Sequence, residues 1–260
     1  MKTITKISAA LFGCMLAVSC DTGLSNEELG VVDNSGNGRL NPANVYIRQE
    51  QVQRIHGQNI LDYTFNNEGF LTGVIYDGQL TYSFDYPESD PSKVILTEYT
   101  MGNDNEYYTE FTIGANGFAN MAINTCNYEN YREVYKFYYD SEGHLVKCNL
   151  AGDIYTFKYE NGNLVELKSD EHTETITYNE KANDYAVMPY TSVSPSYINS
   201  SFGVSLTHAF LAGILGRPTK NLPATTRIHY NDNSVDDVNY TFVYRYDGSG
   251  NLIGINYEER

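Results

Sequence analysis

Tryptophan is absent from this chain, and positive charge is scarce: 17 Lys and Arg stand against 33 Asp and Glu, a formal net charge of −16. Nucleic acids and anionic bilayer surfaces recruit Lys- and Arg-rich faces, so this balance argues against both as electrostatic partners. Without Trp, any sugar-stacking surface would rest on Tyr. Cysteine is limited to 4 residues with no C-x-x-C, which leaves zinc-ribbon and thioredoxin chemistry unsupported. The five His (His56, His144, His172, His208 and His229) form no H-E-x-x-H pair. G-x-S-x-G, a Cys–His signature and a phosphate-binding G-x-x-x-x-G-K-[ST] loop are missing too. No metal and no cofactor is read from the sequence. No apolar run reaches the ~20 residues of a membrane-spanning helix.

The N-terminus is a targeting segment. Lys2 and Lys6 precede the apolar run "ISAALFGCMLAVS", which ends in a small residue before Cys20. "AVSC" resembles a bacterial lipobox, so residues 1–19 are read as a lipoprotein signal peptide and Cys20 as the acylated residue, an anchor to a membrane that the chain does not span. Plain secretion with Cys20 incidental is the competing reading; the polar, Gly-rich stretch that follows favours the anchor. Residues 20–42 are expected to form a flexible tether, because Gly, Ser, Asn and acids without periodicity bury little. Loss of Lys2 and Lys6 would leave 15 basic against 33 acidic residues, a charge of −18. Residues 43–260 show no internal linker and are read as a single all-β domain, a monomer.

One phrase recurs in that domain: "YTFNNEGFL" (63–71), "FTIGANGFA" (111–119), "FYYDSEGHL" (137–145), "FKYENGNL" (157–164) and "YRYDGSGNL" (244–252). Aromatics at i and i+2 share one face of a strand. An Asx after them can bond the backbone just ahead and start a tight turn. The Gly supplies positive φ for a bulged hairpin turn, and the apolar residue two positions later begins the returning strand. Upstream of the turns the alternation is strict. Tyr135, Phe137 and Tyr139 share a face, as do Tyr155, Phe157 and Tyr159, and Phe242 and Tyr244, opposite Lys136, Lys158 and Arg245. An aromatic face backed by a polar one marks an antiparallel sheet covered on one side. Roughly fourteen strands are too many for an open twisted sheet. The expectation is therefore a long up-and-down antiparallel meander curling into a barrel-like sheet with its aromatics inside. Two strands carry Cys126 and Cys148 with a third between them, ~10 Å apart, beyond disulfide reach. Two free thiols are favoured over a bridge.

Residues 183–224 break the alternation. Within "VSLTHAFLAGILG", Val204, Phe210, Leu211, Ile214 and Leu215 have helical spacing, with Gly216 as C-cap and Pro218 as stop. One short helix is expected near 185–222, in a segment that plugs the curled sheet.

The lipobox, the Y-x-Y-D-x-x-G-x-L phrases and "ILGRPTKNLP" ahead of a final hairpin together resemble a Bacteroidota lipoprotein family with a domain of unknown function described as having a porin-like fold. The resemblance spans about residues 43–260. The phrases are also similar to the YD repeats of large bacterial toxins and teneurins. The family likeness implies an exported curled all-β domain and carries no catalytic residue. A lipid-facing strand needs an apolar outer alternation, whereas Thr156, Lys158, Ser83 and Asp85 stand at outward positions.

The functional reading is a lipid-anchored outer-membrane protein of the cell envelope, displayed at the surface, that binds or scaffolds without catalysis. A second reading places a glycan or small apolar ligand in a lumen lined by Tyr135, Phe137, Tyr139, Tyr155, Phe157, Tyr159, Phe242 and Tyr244; the same residues packed as core are the competing account. A hydrolase with scattered acids ranks third. "NDNSVDD" (231–237) lacks EF-hand spacing and is read as a hairpin loop, and "EHTET" as a charged turn.

Overall fold

The computed structural model describes residues 25–46, 53–56, 59–99, 106–127, 130–184, 206–232 and 236–259. Residues 1–19, read from the sequence as a signal segment, and Cys20 lie outside the described residues, as does Val204. Fifteen strands follow one another: β1 (Gln53–His56), β2 (Asn59–Phe65), β3 (Leu71–Tyr76), β4 (Gln79–Asp85), β5 (Lys93–Tyr99), β6 (Glu106–Ile113), β7 (Ala119–Cys126), β8 (Arg132–Tyr139), β9 (Leu145–Leu150), β10 (Asp153–Glu160), β11 (Asn163–Lys168), β12 (His172–Ala182), β13 (Asn221–Tyr230), β14 (Val238–Tyr246) and β15 (Leu252–Glu259). Each pairs antiparallel with the next, and the sheet closes into a barrel through β1 and β15. That last pair is parallel, Ile55 opposite Gly254 and His56 opposite Ile255. The reason is parity: in a meander with an odd number of strands the first and last run the same way, so closure must be parallel.

The recurring phrase occupies the β2–β3, β6–β7, β8–β9, β10–β11 and β14–β15 turns. Every one joins an even strand to the following odd strand, so all five lie at the same mouth of the barrel. The four longer copies place Gly69, Gly117, Gly143 and Gly250 at φ between 83° and 88°. The short copy is a two-residue turn with Asn161 at φ 53° and Gly162 at φ 79°, the pair of positive φ values a type I′ hairpin needs. The ladder shifts register at each phrase, between Thr64 and Phe65, Thr112 and Ile113, Tyr138 and Tyr139, Lys158 and Tyr159, and Arg245 and Tyr246.

A barrel of this strand number is wide enough to leave a channel unless something fills it. Inward aromatics supply part of the filling, and the described part of the β12–β13 connection adds to it. Its helix α1 (Leu206–Leu211) and the residues just after it place Ala209, Phe210, Leu211, Ala212, Ile214 and Leu215 in the same buried cluster as Phe111, Phe137, Tyr139 and Phe157. The expected helix is present, but it ends earlier than Gly216. Ile214 N–H bonds Ala209 O at 3.0 Å and Gly213 N–H bonds Phe210 O at 2.8 Å, with Gly213 at φ 78°. That is a Schellman cap on Gly213.

Residues 25–42 correct the expectation of a flexible tether. Leu29, Asn34 and Leu40 are buried, Val32 N–H bonds Tyr139 O at 2.8 Å and Gly38 N–H bonds Ile113 O at 2.9 Å. Polar composition did not preclude order here, because the segment borrows the barrel's backbone groups at the phrase-bearing mouth. It continues through a 3-10 turn, Pro42–Asn44, to Tyr46, whose N–H bonds Leu211 O at 3.0 Å. This strap and the plug thus close the mouth together.

The outer face is polar. Tyr138, Lys147, Thr156, Lys168, Thr173 and His229 stand side by side across six neighbouring strands. Lys136 in β8, Lys147 in β9 and Arg227 in β13 stand within their strands, where an apolar lipid-facing band would not accommodate them. Among the described residues the exposed large hydrophobics are Leu80 and Ile253.

Candidate functional site

The eight aromatic residues nominated for a ligand fall in two separate clusters among the described residues. Tyr135, Phe137, Tyr139, Tyr155 and Phe157 are buried in the main core, with Tyr159 packed against it, while Phe242 belongs to a separate cluster with Leu222 and Ile255 against which Tyr244 packs. Several hydroxyls are committed within the protein. Tyr139 donates to Ala119 O at 2.7 Å, Tyr135 to Glu133 Oε2 at 2.7 Å and Tyr244 to Pro223 O at 2.6 Å. At these positions the aromatic lumen is core, occupied by the strands' own side chains and the plug.

The charged turn "EHTET" also differs from its expected form. Alternation directs His172 and Glu174 inward, where both are fully buried. His172 Nδ1 lies 3.0 Å from Ser169 Oγ and its Nε2 lies 3.2 Å from Glu174 Oε1. The three groups resemble a Ser–His–acid array, but catalysis needs a nucleophile that substrate can reach. Ser169 Oγ instead accepts the N–H groups of Glu171 and His172, each at 3.2 Å. It caps the β11–β12 turn. In "NDNSVDD", Asp237 binds Arg227 Nη2 at 2.7 Å and His229 Nδ1 at 2.7 Å, so this carboxylate serves the β13–β14 hairpin. No cluster of three metal-ligating side chains exists among the described residues.

An open cleft of about 460 Å³ lies at the phrase-bearing mouth, between strap, plug and turns, lined by residues that include Asn44, Tyr46, His144, Asn183, Arg217 and Lys220. The irregular segment leaving the plug sets the lining. Arg217 N–H bonds Gly143 O at 2.8 Å, Lys220 N–H bonds Gly162 O at 2.8 Å and Asn183 N–H bonds Lys220 O at 2.9 Å. The chain is thereby laid across two glycine turns, with Arg217 and Lys220 exposed. Asn183 Nδ2 donates to Thr219 O at 3.0 Å and pins the corner.

His144 is held from two sides. Its ring stacks on Tyr159, centroids 4.4 Å apart, and its Nδ1 lies 3.0 Å from Asp140 Oδ2. Burial would raise the Asp140 carboxyl, but its bonds to His144 and to turn N–H groups outweigh this and hold it below the usual carboxylate range. The Tyr46 hydroxyl is buried with no hydrogen-bond partner. Burial pushes its pKa upward, opposed by the nearby Arg217 charge. Sequence reasoning seated the ligand in the aromatic lumen near residues 183–224, a segment that lines this cleft, but it named none of the cleft's residues as ligand contacts. Its parts come from the strap, the β8–β9 and β10–β11 turns and the plug, and no local pattern joins them.

A family profile described as "Domain of unknown function (DUF4595) with porin-like fold" matches residues 96–254. Among solved structures, the chain is similar to a porin-like protein from Bacteroides uniformis ATCC 8492, with 21% identity over 75% of this chain and 79% of that one and a TM-score of 0.55. At that identity the likeness concerns the fold. No curated protein matches.

Proposed function

Because the chain belongs to this porin-like family of unknown function, we propose that it is a lipid-anchored envelope protein that binds or scaffolds at the barrel mouth and neither conducts nor catalyses. The observation that carries the reading is the contrast between a lumen filled by the chain's own plug and an open polar cleft beside it. A filled lumen with a polar outer face is poorly suited to a membrane channel. Acylation of Cys20, after removal of residues 1–19, attaches the barrel, a monomer, to the outer membrane, and the strap that follows the anchor docks on the cleft-bearing mouth.

Two measurements test this. Cys20→Ala should move the protein from the membrane to the soluble fraction; retention of the variant would refute the anchor. Native mass spectrometry of the mature protein from a native-like host should show a small adduct. A bare monomer mass would favour scaffolding through the loops over binding in the cleft.

A further inference from the structure

Resting on the reading of the mouth as a binding site, we propose that the cleft seats an oxyanion, the carboxylate or phosphate of a small polar ligand, between Arg217, Lys220 and the Tyr46 hydroxyl. Three observations converge. First, acids outnumber bases almost two to one, 33 against 17, and Arg39, Lys93, Lys158 and Arg227 each have a carboxylate partner. Arg217 and Lys220 have none, as is also true of Arg132, Lys136, Lys168 and Lys181, but these two alone of that set line one cleft. In a chain so rich in carboxylates, two unpaired cations at one site leave room for an external anion. Second, the buried Tyr46 O–H beside them is an unused donor; such groups are rare because leaving one unmade is costly, and an oxyanion supplies the missing acceptor. Third, the cavity of about 460 Å³ falls in the size range of small-ligand sites. Asn44 and Asn183 line it too, giving neutral polar groups for the remainder of the ligand. The acid on the rim is Asp184; it makes no ion pair with either cation and would repel a misplaced anion. Arg217 is suited to grip planar oxyanions through two N–H groups, with Lys220 as a second point charge.

The test is ligand-observed saturation-transfer NMR on the full mature protein in neutral detergent, with glucuronate, glucose and inorganic phosphate as probes. Glucuronate should receive saturation, glucose should not, and phosphate should displace glucuronate. Arg217→Gln should weaken glucuronate binding about tenfold, as loss of one charge-assisted contact does. Adding Lys220→Gln should abolish it. Both side chains are exposed, so an unchanged thermal melt verifies that the fold persists. Tyr46→Phe should weaken binding without unfolding the strap. Glucose binding as well as glucuronate, with neither affected by the variants, would overturn the anion seat while leaving a binding mouth in place. Absence of transfer to glucuronate would also overturn it, and the native mass of the purified protein would judge the binding reading separately.

Discussion

Asn34 stands in for the side chain that Gly114 lacks. In three of the glycine phrases an Asx side chain starts the turn: Asn66 Oδ1 accepts the Glu68 N–H at 3.0 Å, Asp140 Oδ1 that of Glu142 at 2.9 Å and Asp247 Oδ1 that of Ser249 at 2.9 Å. The phrase at 111–119 has glycine there, and the Asn116 N–H donates to Asn34 Oδ1 at 2.8 Å. The acceptor comes from the strap, 82 residues away. A Cβ on Gly114 would meet that same Oδ1 at 2.4 Å.

Asn34→Ala should therefore destabilise the protein by about 1–3 kcal/mol, since it leaves buried backbone groups unpaired, and should speed proteolysis of residues 25–42. Gly114→Asp should eject the strap. Asn34→Gly should not rescue Gly114→Asp, because the new Cβ would still meet the backbone oxygen of residue 34 at 2.3 Å. Recovery of the thermal melt in the pair would refute this close approach of the strap's backbone to the turn.

Glu98 gives a pH signature. It stands on β5 between Tyr82 and Tyr107 in the adjoining strands, Oε2 has no hydrogen-bond partner, and burial raises its pKa to about 7. A carboxyl raised on folding binds its proton more tightly in the native state, so stability falls as pH rises from about 4.5 to about 7 and stays lowered above. Glu98→Gln should add about 1–2 kcal/mol at pH 8, allowing for solvent screening of a partly exposed group, and nothing at pH 4. Equal gains at both pH values in urea unfolding would refute this.

Phe210 anchors the plug. It is fully buried, and its ring centroid lies 5.2 Å from that of Tyr46. Phe210→Ala should cost about 3–5 kcal/mol through the cavity it opens, read from denaturant unfolding. A loss below about 1 kcal/mol would mean that the plug is not needed to fill the barrel.

Neither Cys126, half-buried, nor Cys148, fully buried, is disulfide-bonded. They sit on β7 and β9 with β8 between them, the arrangement the strand pattern implied. Burial holds the Cys148 thiol well above its ordinary pKa, and thiolate is the reactive form. Iodoacetamide should label Cys126 in the native protein and Cys148 after unfolding. Equal labelling rates in native buffer would contradict the packing.

Much of the architecture was legible because it is written with period two. The aromatic alternation in β8, β10 and β14 and the glycines of the five turns specify strand, turn and inward face within a dozen residues. The short helix was legible from a different period, the helical spacing of Phe210, Leu211, Ile214 and Leu215, although the last two lie beyond its end. Its end was misplaced because both Gly213 and Gly216 can take positive φ, and the choice rests on packing: a Cβ at Gly213 would meet Asn44 O at 2.2 Å. Alternation also directs His172 and Glu174 inward, yet their charge suggested a surface turn until the Ser169 contact was seen.

The sequence by itself determined the all-β meander, the aromatic interior and the mouth on which all five glycine turns fall, since each follows from contacts between near neighbours in the chain. Tertiary structure alone decided the ordering of the strap, the Asn34 cap, the parallel closure of β1 on β15 and the cleft holding Tyr46, His144, Arg217 and Lys220. These depend on groups dozens to about two hundred residues apart, brought together only when the barrel closes and the plug is laid across its turns.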